Sequence, residues 1–174
     1  MRKFAKGFLL LVLVLVVFTG AGLSFYNLLY PFKYQDLISK YAQSYNLDEG
    51  LVASIIFCES RFNKNAKSNK GALGLMQIMP STAAGFYKEE RSFSSEMLFD
   101  PEFNIQIGST FLRYLFDKYQ DEVVVLACYN AGETAVRLWM GNNKSLEKTQ
   151  IKYKETLNYV EKVQKFKPFY KKRF

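Results

Sequence analysis

Histidine is missing from all 174 residues of this sequence. Its absence excludes Ser-His-Asp and Cys-His nucleophiles and any histidine-ligated metal site. The two cysteines are too few for a zinc cluster and are not spaced as a Cys-x-x-Cys pair. Any chemistry must therefore come from carboxylate, amide and hydroxyl groups, and nothing in the sequence calls for a cofactor or a metal.

The body of the chain also lacks an excess of either charge. Residues 31–164 contain 16 basic and 16 acidic residues, so the net charge of +8 comes from positions 1–30 and 165–174. A neutral body has no basic surface to neutralise phosphates, which argues against nucleic acid as a partner. The basic ends favour contact with anionic lipid or wall polymer, although an unstructured tail is the simpler interpretation of residues 167–174.

One long apolar run is present near the start of the chain. Arg2, Lys3 and Lys6 precede 23 uncharged residues, Gly7 to Leu29. About 20 apolar residues can cross a bilayer as a helix, and the positive flank stays cytoplasmic, so the body would face the wall side of the membrane. We favour an uncleaved transmembrane anchor over residues 1–30. The alternative is a secreted protein whose signal peptide is cleaved near Thr19–Gly22.

Residues 31–166 are long enough for one domain, and apolar residues recur in them at helical spacing. They predict a mostly α-helical domain with at most one small β-hairpin, at Gly71–Ile78. Asp48, Ser81 and Asp100 are the expected helix caps. The expected helices are Phe32–Asn46, one from Asp48 to about Glu59, one opening at Pro80, Asp100–Tyr119, Val123–Tyr129, Thr134–Met140 and Tyr153–Phe166. Loops are expected at Asn63–Lys70, Ser92–Phe99 and Gly141–Lys148.

Glu59 is the strongest candidate for a catalytic group. It precedes Phe62 and follows an apolar helical stripe of Leu51, Val52, Ile55 and Ile56. Apolar surroundings disfavour the charged form of a carboxyl, so we expect a raised pKa and a retained proton near neutral pH. A general acid for a glycosidic oxygen needs that proton. A glutamate at a helix end can also simply be solvated, so the neighbouring motifs must decide between the two interpretations.

Two further motifs supply groups that suit sugar binding. The turn around Gly74 permits close backbone approach, and beside it Met76 can pack against a sugar face while Gln77 can bind sugar hydroxyls. Tyr129 can bond the acid or the sugar, and Asn130 can hold an acetamido group. Taken alone, each motif also fits an ordinary glycine turn or the end of a helix.

The motifs occur in a fixed order over residues 34–164. They are Glu59-Ser60-x-Phe62, Ala66-x-Ser68-x-x-Gly71-Ala72-x-Gly74-Leu75-Met76-Gln77-Ile78-Met79-Pro80-x-Thr82-Ala83, Asn104-Ile105-x-x-Gly108, Tyr129-Asn130-Ala131-Gly132 with Val136-x-x-Trp139, and Glu155-Thr156-Leu157-Asn158-Tyr159-Val160. In this order they resemble the catalytic domain of the soluble lytic transglycosylases, which are relatives of goose-type lysozyme. The resemblance implies a single lysozyme-like domain.

The resemblance also implies a substrate and a mechanism. Such enzymes cleave the β-1,4 bond between N-acetylmuramic acid and N-acetylglucosamine in peptidoglycan strands. Their lone glutamate, which corresponds to Glu59, protonates the leaving oxygen and then deprotonates the muramoyl 6-hydroxyl, so that a 1,6-anhydro ring closes. The substrate's N-acetyl group replaces a second carboxylate. The binding positions of the family correspond to Ser60, Met76, Gln77, Tyr129, Asn130 and Tyr159.

The sequence departs from the family pattern at a few positions. Cys58 and Cys128 stand where the family has other small or apolar residues. We expect both to be buried free thiols, with a disulfide as the alternative outside the cell. Leu157 stands where the family commonly has arginine, and no proline precedes Glu155, which bears on the orientation of Tyr159.

Two other functions stay open at this stage. A lysozyme-type hydrolase on the same scaffold would need a carboxylate to place water, and the candidates are Glu89, Glu90, Glu96 and Asp100. A wall-binding module without catalysis would have no need for Glu59 together with its whole neighbourhood, so it is the least favoured of the three.

Overall fold

The computed structural model describes Thr19, Gly22 and residues 25–87 and 92–174. The chain divides into two compact units, Met1–Lys33 and Tyr34–Phe174. In the first unit residues 25–29 are helical, and most of the expected membrane anchor lies outside the described residues. Among the helices in the described ranges, none is both long enough and apolar enough to cross a bilayer.

The second unit is helical, as the sequence predicted. Its described residues form seven α-helices: α1 (Gln35–Ser44), α2 (Glu49–Ser60), α3 (Pro80–Phe86), α4 (Pro101–Tyr119), α5 (Glu122–Ala131), α6 (Glu133–Met140) and α7 (Lys154–Lys171). Two 3-10 helices, Ser95–Phe99 and Lys148–Gln150, precede α4 and α7. The expected hairpin is present only as two isolated antiparallel bridges, Lys67 with Leu73 and Leu73 with Ile78.

Helix α2 occupies the centre of the domain. Every residue from Gly50 to Phe57 is buried, so the helix is covered on all sides and not along the single predicted stripe. Asp48 caps it as predicted, because its Oδ1 accepts a 3.0 Å hydrogen bond from the backbone N–H of Leu51. Neighbours on every side fix the place of the helix, and with it the place of Glu59 near its end.

Helix α7 packs along α2 and continues to Lys171, beyond the predicted end at Phe166. Tyr170 is fully buried, and the centre of its ring lies 5.5 Å from that of Phe57 on α2. The interpretation of residues 167–174 as an unstructured tail is therefore wrong as far as Lys171. The aromatic side chain of Tyr170 belongs to the core, and the lysines around Tyr170 occupy the outer side of the same helix.

Two of these lysines also form ion pairs with the starts of other helices. Lys167 Nζ lies 2.5 Å from Glu122 Oε2 on α5, and Lys171 Nζ lies 2.7 Å from Asp48 Oδ2 at the cap of α2. Ion pairs with solvent access contribute little each, about 0–1 kcal/mol. The burial of Tyr170 is therefore the main contribution of this segment, and the ion pairs add to it.

The other helix boundaries agree with the sequence in most places. Asp100 caps α4, because its Oδ1 accepts a 2.9 Å bond from the N–H of Phe103. The first helix is shorter than predicted and begins at Gln35. The prediction that Ser81 is a cap is wrong, because α3 already begins at Pro80. Proline suits the first helical position since its fixed φ matches the helix and no N–H is needed there.

Gly50 tests the contact between α2 and α7. A Cβ atom at this position would lie 2.6 Å from the backbone oxygen of Lys167 and 2.7 Å from Lys171 Cβ. Because backbone atoms cannot move away without shifting α7, we expect Gly50→Ala to lower the free energy of unfolding by about 1–3 kcal/mol. Urea denaturation followed by circular dichroism measures this change.

Gly85→Ala is the matched control, because a Cβ at Gly85 in α3 would meet nothing within 4 Å. Alanine is the better helix former, so this variant should be unchanged or up to about 1 kcal/mol more stable. Equal stability of Gly50→Ala and the parent protein would contradict the close packing of α7 on α2.

Candidate active site

Glu59 lies at the end of α2, where the chain turns sharply. Arg61 and Phe62 follow with left-handed backbone angles, φ 51° and 62°, although neither is glycine. Such conformations cost on the order of 1–3 kcal/mol each and persist where the surroundings hold them. Phe62 is 2% exposed, so the burial of its ring offsets the strain and fixes the point at which α2 ends.

The surroundings of Glu59 favour its protonated form, which confirms the sequence-based expectation. The side chain is half-buried, and burial raises the pKa of its carboxyl from 4.5 to about 7. The Tyr159 hydroxyl and the Lys162 ammonium group lower this pKa, whereas Glu155 raises it. Loss of hydration is the largest of these effects, so a large fraction of Glu59 carries a proton near neutral pH.

Two tyrosines, the half-buried Tyr129 and the buried Tyr159, lie close to Glu59. Burial and the Glu59 charge raise the pKa of both Tyr129 and Tyr159. Tyr129 Oη donates a 2.9 Å hydrogen bond to the backbone oxygen of Met76. The Tyr159 hydroxyl is close enough to the Glu59 carboxyl to lower its pKa as a donor. Its oxygen has no partner within ordinary hydrogen-bond geometry among the described residues. It is therefore a donor that remains available when Glu59 ionises.

Asn104, a fully buried residue on α4, organises the glycine-containing loop next to the acid. Its Nδ2 donates to the backbone oxygens of Leu73 at 3.0 Å and Leu98 at 2.8 Å. Its Oδ1 accepts a 2.7 Å bond from the N–H of Met76. One side chain thereby bonds three backbone groups, of which the Leu73 oxygen also accepts a 3.0 Å hydrogen bond from the N–H of Ile78. The motif analysis included Asn104 but assigned it no role.

Gly74 is required because Asn104 occupies the space beside it. A Cβ at Gly74 would lie 2.2 Å from Asn104 Nδ2 and 2.1 Å from the backbone oxygen of Leu98. The φ of Gly74 is 75°, a conformation that glycine adopts without strain. The turn predicted from the glycine spacing is therefore confirmed, and its cause is the approach of α4.

Gln77 holds the same loop from the other side. Its Nε2 donates to the backbone oxygens of Ala66 at 3.1 Å and Gly74 at 2.9 Å. Both amide protons are therefore used within the protein, and the Oε1 atom of this half-buried side chain is the part left for a ligand. The expected sugar contact of Gln77 can consequently involve an acceptor oxygen but not a donor.

Met76 does not agree with its expected role. Its side chain is 0% exposed and packs on Gly108 of α4, where a Cβ would lie 2.3 Å from Met76 Sδ. The side chain therefore cannot pack against a sugar face in this structure. Its contribution is made through the backbone, whose oxygen accepts the hydrogen bond from Tyr129.

Asn130 and Ser60 complete the set of predicted binding residues. Asn130, half-buried at the end of α5, accepts a 2.8 Å hydrogen bond at Oδ1 from the Thr156 hydroxyl of α7. Ser60 is half-buried beside the acid, and its hydroxyl donates 3.1 Å to the backbone oxygen of Ile56. The sequence analysis assigned no role to Thr156, Glu155 or Lys162. Thr156 and Glu155 belong to the last of the sequence motifs, whereas nothing in the sequence around Lys162 indicates a role.

The two cysteines are free, as predicted. Cys128 is buried and Cys58 is half-buried, and burial raises the pKa of each thiol to about 12. Thiols with such pKa values stay protonated near neutral pH and are poor nucleophiles. They act here as small apolar side chains next to the motif residues.

Of the carboxylates that could place water for a hydrolase, the two that the structure describes have other bonding partners. Asp100 caps α4, Glu96 is exposed and is bonded by the hydroxyls of Ser94 and Ser95, and Glu89 and Glu90 lie outside the described residues. The carboxylate that does act on Glu59 is Glu155, an exposed residue in the first turn of α7. It is therefore a candidate for the second carboxylate that a hydrolase would need.

A large open cavity of about 1040 Å³ lies away from Glu59, between the C-terminal end of α4 and α6. Lys118, Tyr119, Arg137 and Leu138 are among the residues that line it, and Glu59 is not. Within the described ranges, no group of acidic or cysteine side chains is arranged to hold a metal ion.

Comparison with known proteins identifies related domains. Residues 36–152 match the family model described as Transglycosylase SLT domain. The soluble lytic murein transglycosylase of Escherichia coli (strain K12) is 34% identical over 151 residues, covering 82% of this chain and 23% of that protein. The membrane-bound lytic murein transglycosylase C of Haemophilus influenzae (strain PittGG) is 36% identical over 143 residues, covering 75% and 39%. This chain thus spans between about a quarter and two-fifths of the length of these relatives.

Solved structures show the same fold. The 70 kDa soluble lytic transglycosylase from Escherichia coli superposes with a TM-score of 0.74 and 33% identity, covering 82% of this chain and 25% of that one. An inactive glutamate-to-glutamine mutant of the lytic transglycosylase Slt from Pseudomonas aeruginosa gives a TM-score of 0.75 and 27% identity, covering 84% and 25%. The domain is therefore mostly helical and lysozyme-like, as the resemblance implied.

The raised pKa of Glu59 predicts a pH-dependent stability. The folded protein binds this proton more tightly than the unfolded chain, so the stabilisation is complete below the unfolded pKa of 4.5 and is lost as the pH rises through about 7. Glu59→Gln should match the parent protein at about pH 4 and should be more stable by about 2 kcal/mol at about pH 8.5, after allowance for partial exposure. Urea denaturation at both pH values measures the difference.

Glu102→Gln is the control of opposite sign. The Lys40 ammonium group holds the pKa of the exposed Glu102 below its usual value, so its removal should not increase stability at high pH. An equal gain in both variants would mean that any lost negative charge stabilises the protein, and the burial of Glu59 would then not be the cause.

Proposed function

Because this chain belongs to the Transglycosylase SLT domain family, we propose that it is a lytic transglycosylase acting on peptidoglycan. It cleaves the β-1,4 bond between N-acetylmuramic acid and N-acetylglucosamine and leaves a 1,6-anhydromuramoyl end. The observation that carries the proposal is the half-buried carboxyl of Glu59, whose pKa of about 7 suits a group that first donates a proton and then accepts one.

The reaction proceeds in two proton transfers on one residue. Protonated Glu59 gives its proton to the glycosidic oxygen, which leaves with N-acetylglucosamine as its 4-hydroxyl. The carbonyl oxygen of the muramoyl N-acetyl group stabilises the anomeric carbon, as in other substrate-assisted glycosidases. Ionised Glu59 then takes the proton of the muramoyl 6-hydroxyl, and the new bond from O6 to C1 closes the anhydro ring. No water is consumed.

Several neighbours support these steps. The Tyr159 hydroxyl has no regular hydrogen bond within the described chain, so it can stabilise Glu59 during the interval in which the carboxyl is ionised. Lys162 acts in the same direction by its charge, since it lowers the pKa of Glu59. Burial favours the acid form and these two groups favour the base form, which keeps the two states close in free energy.

The proposed substrate contacts come from both sides of the acid. Ser60 ends α2, Gln77 belongs to the glycine-containing loop, and Asn130 and Tyr159 belong to α5 and α7. Tyr129 shapes the site because its hydroxyl donates a 2.9 Å hydrogen bond to the backbone oxygen of Met76. The names of the relatives, which are murein transglycosylases, support a glycan-binding site in this domain, and a 70 kDa soluble lytic transglycosylase of the same fold is known in complex with bulgecin A.

Product analysis tests the reaction. The body of the chain, residues 31–174, is incubated with purified peptidoglycan, and the released fragments are weighed by mass spectrometry. We expect muramoyl ends that lack one water, the mass of the 1,6-anhydro form. We expect Glu59→Gln to reduce the rate by about 10²–10⁴-fold, the usual contribution of a general acid.

Glu96→Gln is the matched control, because this exposed carboxylate is bonded by nearby serines and should leave the rate unchanged. Reducing muramoyl ends would instead identify a hydrolase that uses water, with Glu155 as the carboxylate to examine. Full activity of Glu59→Gln would contradict the assignment of the acid. Absence of any cleavage by the parent protein would favour the wall-binding alternative.

The proposed location is the cell membrane, with the catalytic body on the wall side. Support comes from the uncharged run Gly7 to Leu29 behind Arg2, Lys3 and Lys6, which together match an anchor with its positive flank in the cytoplasm. An anchor would limit the enzyme to glycan strands within a short distance of the bilayer.

Fractionation of cells that express the full chain tests this location. We expect the protein to stay in the membrane fraction after a high-salt wash, because the burial of an apolar anchor in the bilayer does not depend on ionic strength. We also expect its intact mass to include residues 1–30. A chain that begins at Pro31 serves as the control and should not sediment with membranes. A soluble exported protein that begins close to Thr19–Gly22 would contradict the anchor and identify a cleaved signal peptide.

A further inference from the structure

The hydroxyl of Thr156 is a buried polar group with one partner. Thr156 is 2% exposed and lies in the first turn of α7. Its Oγ1 donates a 2.8 Å hydrogen bond to Oδ1 of Asn130 at the end of α5. Among the described residues no other acceptor is bonded to this hydroxyl, and its burial leaves little access for water. The single hydroxyl proton is therefore directed to Asn130.

This bond determines which end of the Asn130 amide is turned to α7. An asparagine amide has an acceptor oxygen at one end and two N–H donors at the other, and a rotation of 180° exchanges them. With Oδ1 engaged by Thr156, the Nδ2 group points the other way. Nδ2 makes no hydrogen bond within the described chain and is not a buried unpartnered atom. It therefore presents its donors to solvent beside Tyr129.

We propose that Thr156 is a positioning residue that orients the Asn130 amide, so that Asn130 offers two N–H donors to the substrate and selects an acceptor oxygen there. The proposal rests on the proposed function. An acetamido carbonyl oxygen of the substrate fits these donors, because Nδ2 can only donate and a carbonyl oxygen can only accept. A threonine suits this task, since its branched Cβ restricts the side-chain rotamer while its methyl group fills the buried space.

The same bond joins the two helices that carry the tyrosines near Glu59. Asn130 follows Tyr129 on α5, and Thr156 lies one turn before Tyr159 on α7. A substitution at position 156 can therefore act through amide orientation or through helix placement. The experiment has to separate these two effects.

Ligand binding in a Glu59→Gln background separates binding from turnover. The probe is an oligomer of N-acetylglucosamine, measured by isothermal titration calorimetry. We expect Thr156→Val, which keeps the shape and removes the hydroxyl, to weaken binding about fivefold to tenfold, the usual effect of one neutral hydrogen bond. We expect Thr156→Ser, which keeps the hydroxyl, to restore binding to within about twofold of the background protein.

A double-mutant comparison identifies the route of the effect. If Thr156 acts through the amide, Thr156→Val should weaken binding no further when Asn130 is already alanine. Asn130→Asp keeps an acceptor for Thr156 and loses the donors, so it should bind the probe as weakly as Asn130→Ala. Thermal unfolding of each variant shows whether the helices remain packed.

Each outcome decides a separate point. Unchanged binding by Thr156→Val, or an added loss in the Asn130→Ala background, would overturn the positioning role and leave the proposed function intact. Full binding by Asn130→Asp would overturn the requirement for an acceptor on the substrate. Failure of the Glu59→Gln protein itself to bind the probe would overturn the proposed function together with this inference.

Discussion

The packing of α7 against α2 is the contact on which the candidate site depends. Helix α2 is buried around its whole circumference from Gly50 to Phe57 and carries Glu59 at its end. Helix α7 covers it and brings in Thr156, Tyr159 and Lys162. The ring of Tyr170 on α7 packs on two phenylalanine rings. Its centre lies 5.5 Å from that of Phe57 and 5.7 Å from that of Phe62. The same burial that holds the helices together removes water from the acid and raises its pKa.

A second constraint is the saturation of one buried amide. Asn104 makes three hydrogen bonds to backbone groups of the loop and of the 3-10 helix before α4. A buried backbone group without a partner costs about 1–3 kcal/mol, so this side chain makes one loop conformation much more favourable than others. Through Met76, the loop then supports Tyr129. Hydrogen bonds therefore connect α4 to the loop and the loop to Tyr129, which lies next to Glu59.

The residues differ in how well the sequence predicted them. The raised pKa of Glu59 was predictable because its apolar neighbours lie within one helix, where spacing along the chain indicates burial. Met76 was not, because its side chain packs on Gly108 of a helix that is distant in sequence, and nothing local distinguishes that from a sugar contact. The end of α7 was misjudged because the lysines around Tyr170 resemble a solvated tail. Lys162 affects Glu59 through space and has no local signal.

The sequence by itself determined the helical elements, the caps Asp48 and Asp100 and the presence of one favoured acid. These follow from local rules of periodicity, capping and composition, and from motifs read in order. Only the tertiary structure decided which groups surround that acid and how they are oriented. The bond from Met76 to Asn104 joins residues 28 positions apart, and that from Thr156 to Asn130 joins residues 26 positions apart. No local pattern encodes such pairings, because they form only when the packed helices bring polar groups that are distant in the sequence within hydrogen-bond distance.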